Sequence, residues 1–300
     1  MRKGIKIIKQ TEPGMCGGTD ATLDTNAPKE IKSADMTIFK ATSNMSCIVG
    51  GDVLENEGPI GYVSAYAARS GRGTFLYLET TDGNMRYEKK NCKWAYVKAD
   101  IMPELVKMVN ECGLAKSNGY HSETHGLPEN FGGNVDIRYA SGEKISFSDN
   151  QCPIFSIKTA QMIRKVFNEA MAGEKVELPD VKDLRKINYL EERKSGYTKA
   201  TLTFREDGTI ENDREAKYDD KVYNTKKELG TEVAELIKNN IVNCGMLAWG
   251  GLPESGYSSG RDCYLTFVFE DGTEIKIDDK RDLNYGISSA FFNISLEITK

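Results

Sequence analysis

Two stretches of the chain carry one alternation of apolar and polar positions. Ile101, Leu105, Val109 and Cys112 recur at helical spacing, and Val233, Ile237, Ile241 and Cys244 repeat that pattern, as one apolar helix face requires. Gly113 and Gly245 follow where a helix C-cap belongs. Further on the period changes from 3.6 to 2. Val135, Ile137 and Tyr139 alternate before the turn Ser141-Gly142, then Ile145 and Phe147 after it. The later copy reads Leu265, Phe267, Phe269, the turn Asp271-Gly272, then Ile275 and Ile277. Alternation on both sides of an Xaa-Gly turn predicts a β-hairpin. Between helix and hairpin each copy has the same joint, Gly126-Leu127-Pro128-Glu129 and Gly251-Leu252-Pro253-Glu254.

A shared helical period and a shared hairpin register in one order predict an internal duplication. Around them, Met36-Ile38, Cys47-Val49, Tyr62 to Ala68, Thr74 to Thr80 and Met85-Tyr87 read as strands of the first unit. Ile187-Tyr189 and Thr198 to Phe204 read as strands of the second. Asp100 and Pro103 suit the start of the first helix, Ser156 caps one from Ile157, and Thr231 caps the helix of the second unit. Residues 205–228, dense in charge of both signs, read as a solvated hairpin end or loop. The segment 287–299 fits a strand or a helical face, and the duplication selects the helix. The expected fold is α+β: two tandem similar units, each of strand-rich hairpins followed by helix, hairpin and helix. The expected boundaries are 1–34 as a tail or extended arm, 35–178 as the first unit and 179–300 as the second.

Composition narrows the class. The chain has 300 residues, 39% apolar and 28% charged, with net charge −5. That is ordinary for a globular chain and supplies no bulk attraction to nucleic acid or an anionic membrane. No apolar run approaches the ~18 residues of a spanning helix, and the basic start lacks the apolar core of a signal peptide. Seven cysteines, with no CxxC pair, read as reduced thiols of a cytoplasmic protein. Cys112 and Cys244 are expected on buried helix faces.

Chemistry-bearing motifs are sparse. His121-Ser122-Glu123-Thr124-His125 holds both histidines, in a stretch longer than its counterpart between Cys244 and Gly251, and so reads as a loop insertion. Its spacing is not that of the helical HExxH site. Gly256-Tyr257-Ser258-Ser259-Gly260 matches GxSxG but precedes a strand, with no histidine after it. Gly50-Gly51, Gly71-Arg72-Gly73 and Gly132-Gly133 match no phosphate loop.

The sequence therefore leads to a non-catalytic binding protein of an unassigned protein or small-molecule ligand. No nucleic acid, membrane, cofactor or metal is expected. The alternative is a metal-dependent or hydrolytic enzyme using the segment His121 to His125. The expected binding surface is at the two joints and their following loops: His121, Glu123, His125, Glu129, Trp249, Glu254 and Tyr257. Trp249 and Tyr257 are included for their aromatic area.

Overall fold

The computed structural model describes residues 4–10, 18–45, 52–83, 90–126, 131–219, 221–253, 261–279 and 293–299. The chain divides into two compact units, Met1–Lys175 and Val176–Lys300. The first contains β1 (Ile5–Gln10), β2 (Thr19–Asp24), β3 (Met36–Asn44), β4 (Tyr62–Ser70), β5 (Gly73–Thr81) and β6 (Asn91–Val97). Next come α1 (Met102–Glu111), a 3-10 turn (Leu114–Ser117), β7 (Tyr120–Thr124), β8 (Gly133–Tyr139), β9 (Lys144–Asp149) and α2 (Ile157–Met171). The second contains a 3-10 turn (Val181–Asp183), then β10 (Leu184–Arg193), β11 (Gly196–Phe204), β12 (Ile210–Tyr218) and β13 (Lys221–Leu229). It continues with α3 (Thr231–Asn243), a 3-10 turn (Met246–Gly251), β14 (Arg261–Phe269) and β15 (Glu274–Asp278). A last helix, α4, covers 293–299. Helices and largely antiparallel strands make the fold α+β in kind, rich in strand.

The nine-stranded sheet of the first unit runs β1-β2-β7-β9-β8-β3-β4-β5-β6, and the six-stranded sheet of the second runs β15-β14-β10-β11-β12-β13. Without β1, β2 and β7, the first order is the second. Detail agrees as well. Register shifts between Met36 and Ile38 opposite Tyr139 and Arg138, and between Leu184 and Lys186 opposite Phe269 and Val268. Each hairpin closes with a backbone bond, Tyr139 N–H to Glu143 O at 3.1 Å and Phe269 N–H to Thr273 O at 2.9 Å. Gly142 and Gly272 both stand at φ 84, which a side chain would strain.

The apolar faces read from the sequence point where the period puts them. Leu105 and Val109 of α1, Ile163 and Phe167 of α2, and Val135, Ile137 and Phe147 of the hairpin share one buried cluster. In the second unit Ile237 and Ile241 of α3 are buried, as are Leu265 and Phe267 of β14. Asp100 Oδ1 accepts from Met102 N–H at 3.1 Å, and Ser156 Oγ accepts from Thr159 N–H at 3.2 Å. Within α4, Ile294 and Ile298 are buried, and Arg214 and Asn212 donate to the carbonyls of Thr299 and Ile298 at 2.8 and 3.0 Å. These two side chains satisfy carbonyls that a helix end leaves open.

Several expectations need correction. Residues 1–34 are not a separate tail, because β1 and β2 pair with each other and β2 pairs with β7. The stretch 205–228 is mostly β12 and β13; its charge is compatible with strand because β13 is an edge strand exposed on both faces. Gly230, not Thr231, is the N-cap of α3. Cys112 and Cys244 are the C-cap residues of α1 and α3 and only half-buried, Cys112 still packing against the core cluster. Strand candidates at Cys47-Val49 and Met85-Tyr87 lie outside the described residues. No helix among the described residues is long and apolar enough to cross a membrane.

Candidate functional site

The segment His121 to Thr124, expected as a loop, is strand β7. It lies antiparallel to β2 and parallel to β9. A strand turns alternate residues to one face, so His-x-Glu-x-His projects both imidazoles and the carboxylate outwards while Ser122 is buried. His125 Nε2 lies 3.4 Å from Asp20 Oδ2 and its Nδ1 lies 3.7 Å from Glu123 Oε1. His121 Nδ1 lies 2.9 Å from Ser148 Oγ. Burial, then the nearby Lys144 ammonium, holds the His121 imidazole below its ordinary pKa, so at neutral pH it is uncharged. Among the described residues no three His, Cys, Asp or Glu side chains are grouped to hold a metal ion.

His121 is one member of a longer row. Strand register places Glu79, Ser64, Thr42, Asn134, Ser148, His121 and Thr22 side by side across β5, β4, β3, β8, β9, β7 and β2. Paired residues share a face, and this one is opposite the face carrying Ala41, Val135 and Phe147 into the helix-covered core. Thr42 Oγ1 and Ser64 Oγ are 3.0 Å apart. At one end of the row Glu79 is buried, accepts from Tyr77 OH at 2.9 Å and has the Lys90 ammonium 2.5 Å from Oε1. Lys90 Nζ also stands 5.4 Å from the centre of the Tyr62 ring. Burial, then the Glu79 carboxylate, pushes the Tyr62 phenol well above its ordinary pKa, so it remains protonated.

Beside the row is a concavity of about 450 Å³. Thr42, Asn44 and Tyr62 line it from β3 and β4, Gly133, Asn134, Ser148 and Asp149 from β8 and β9, and Ser122 and Glu123 from β7; Gly132 and Asn150 complete it. A Cβ on Gly132 would stand 1.8 Å from Asp149 O and one on Gly133 2.1 Å from Thr42 O. Close approach of strands therefore accounts for this glycine pair. Asn150 closes the rim by accepting from Thr124 N–H at 2.8 Å and donating to Thr124 O at 2.9 Å. Asp149 Oδ1 accepts from the amides of Gln151 and Cys152, each at 2.8 Å.

The structure brings His121 and Glu123 together on β7 with His125 directly after its end, Glu123 lining the concavity and His121 reaching it through Ser148. Trp249 is elsewhere, fully buried in the second unit, with Nε1 donating to Cys244 O at 3.2 Å. Its aromatic area belongs to the core and presents no surface to a ligand. Glu129, Glu254 and Tyr257 lie outside the described residues, as do Leu127, Pro128, Gly50 and Gly256 to Gly260. Thr42, Asn44, Tyr62, Asn134, Ser148 and Asn150 were not singled out from sequence. Their signal is faint: single polar residues in or beside the predicted strands, which read as an ordinary solvent face or strand end.

No protein-family model matches the chain, and no curated protein resembles it in sequence.

Proposed function

We propose that the chain is a non-catalytic binding protein built by duplication of one α+β unit, and that a small polar ligand occupies the concavity of the first unit. The duplication is supported by the common six-strand order, the matched register shifts and the matched hairpin turns. One observation carries the binding reading. The concavity lies where the shared six-strand frame meets β7, a strand with no counterpart among the described residues of the second sheet. It is open because small residues stand where the other unit has large ones. Counting from the register shifts, Thr42 and Asn134 correspond to Leu190 and Tyr264. A retained core with divergence on the opposite face is what adding a site to a scaffold produces.

Ligand-observed NMR of the intact chain against a mixture of polar metabolites tests this reading. Replacing the exposed Asn134 with the tyrosine of the second unit (Asn134→Tyr) should abolish transfer from any bound compound without shifting the melting temperature. Compounds that bind both proteins equally, or none at all, overturn the assignment.

A hydrolytic reading has one observation in its favour, the contact between Ser148 Oγ and His121 Nδ1 at 2.9 Å. An uncharged imidazole beside a hydroxyl is the starting geometry for an activated nucleophile. Covalent labelling of Ser148 by a fluorophosphonate would establish it, and absence of labelling at Ser148 would remove it.

A further inference from the structure

Resting on the assignment of the concavity as a binding site, we propose that its ligand is a neutral saccharide, a mono- or disaccharide held by its hydroxyl groups. The argument is one of chemical matching. None of the described lining residues carries a positive charge, and Lys90, which stands against the ring of Tyr62, is paired with Glu79. A phosphate or carboxylate would therefore enter without a charged partner, and desolvating an anion that way is costly.

A metal ion is equally poorly served. The lining carboxylate of Asp149 already accepts two backbone amides at Oδ1, leaving Glu123 as the one exposed carboxylate of the described lining. An apolar ligand meets the wrong surface, since nearly every lining side chain is an amide, a hydroxyl or a carboxylate.

What the lining offers is paired donor and acceptor capacity. Amides and hydroxyls each do both, and so does every hydroxyl of a sugar. Thr42, Asn44, Asn134 and Ser148 present such groups along one face, and Glu123 can accept from two neighbouring hydroxyls. Tyr62, 9% exposed, adds an aromatic edge to the described lining, apolar surface that the C–H face of a sugar ring can meet. About 450 Å³ falls within the size range of small-molecule sites. The permanently protonated Tyr62 phenol and the neutral His121 behind Ser148 leave the binding surface uncharged apart from its carboxylates near pH 7.

The test is saturation-transfer NMR with intact protein and a fixed panel. Neutral probes are glucose, galactose, mannose, xylose, N-acetylglucosamine, maltose, cellobiose and lactose; charged probes are inorganic phosphate, citrate and putrescine. At least one neutral sugar should give saturable transfer, weakened about tenfold or more by Asn134→Tyr and severalfold by Glu123→Gln, both exposed positions where folding tolerates change. The charged probes should give none. If no sugar binds but putrescine or an anion does, and Asn134→Tyr removes it, the saccharide inference is wrong and the concavity remains a binding site. If no probe responds to Asn134→Tyr, and the polar-metabolite mixture gives no hit sensitive to it either, both readings fail together.

Discussion

In the first unit the sheet face turned from the helices carries Thr42, Ser64, Asn134 and Ser148 in one registered row. The corresponding row of the second unit carries Leu190, Lys199, Tyr264 and Asp278. Behind both rows the helix-facing positions are buried and mostly apolar: Ala41, Val135 and Phe147 in one, Tyr189, Leu265 and Ile277 in the other. The constrained face is the one that packs, because changing its volume or polarity costs stability directly. The opposite face varies at little cost where it is exposed, as at Asn134. In the second unit it is occupied by Tyr197 donating to Glu215 at 2.7 Å with Lys199 over its ring at 4.6 Å. The units also part after their matched 3-10 turns, where Ser117 and Asn118 lead into β7 while Trp249 and Gly250 do not.

The largest effect is expected at that parting. Trp249→Ala should cost about 3–5 kcal/mol in the second unit, as removal of a fully buried large ring does. Ser117→Ala at the matching, exposed position should cost ~0.5 kcal/mol or less. Amide exchange in α3 and α1, followed in denaturant, would separate the two, and similar costs would break the comparison. Next is Asn118, buried in the first unit, which donates to Pro28 O and Lys144 O at 2.9 and 2.8 Å and accepts from Ser146 N–H at 2.7 Å. Asn118→Ala leaves those backbone groups without that partner and should cost about 2–3 kcal/mol, seen as faster exchange in β7 and β9.

Smaller and equal effects are expected at the hairpin turns. Gly142 and Gly272 face open space at φ 84, so alanine at either adds backbone strain alone, roughly 1–2 kcal/mol. Unequal losses in β8–β9 and β14–β15 would end the equivalence of the hairpins. The smallest effect near neutrality belongs to Tyr139, which matches Phe269. Burial, then Glu143, pushes its phenol from 10.0 to about 12. A raised phenol pKa stabilises the fold fully below the unfolded value, and that contribution is lost as pH rises through the folded one. Tyr139→Phe should therefore change little at pH 7 and flatten the decline of first-unit stability between pH 10 and about 12; a urea midpoint measured against pH checks it.

The helices α1, α2 and α3 and the hairpins β8–β9 and β14–β15 were legible because each buries one face, and burial writes a period. β13 was not, since Lys221 to Glu228 is exposed on both faces and leaves no alternation to read. β7 hides a different way: Tyr120, Ser122 and Thr124 turn inwards but only Ser122 is fully buried, so the outward His-x-Glu-x-His reads as a polar loop. The site was half legible. Glu123 and His121 stood out as rare residue types, but Thr42, Asn134 and Ser148 acquire meaning only when register sets them side by side, and register between distant strands is a tertiary property.

The parallel contact of β7 with β9 has a consequence in time. β2 joins the sheet through β7, and β7 joins the rest through Ser148 and Asp149 of β9. The hairpin of β1 and β2 precedes all of these in the chain, and two strands alone are marginal in water. It therefore gains its support only after β3, β8 and β9 have closed contacts across about a hundred residues, which slows folding. Ile7 and Ile8, still half exposed in the finished fold, are more so during that interval. The pair of strands that precedes the rest of this sheet in the chain is fastened last, and a chain interrupted before β9 carries it as an unprotected edge.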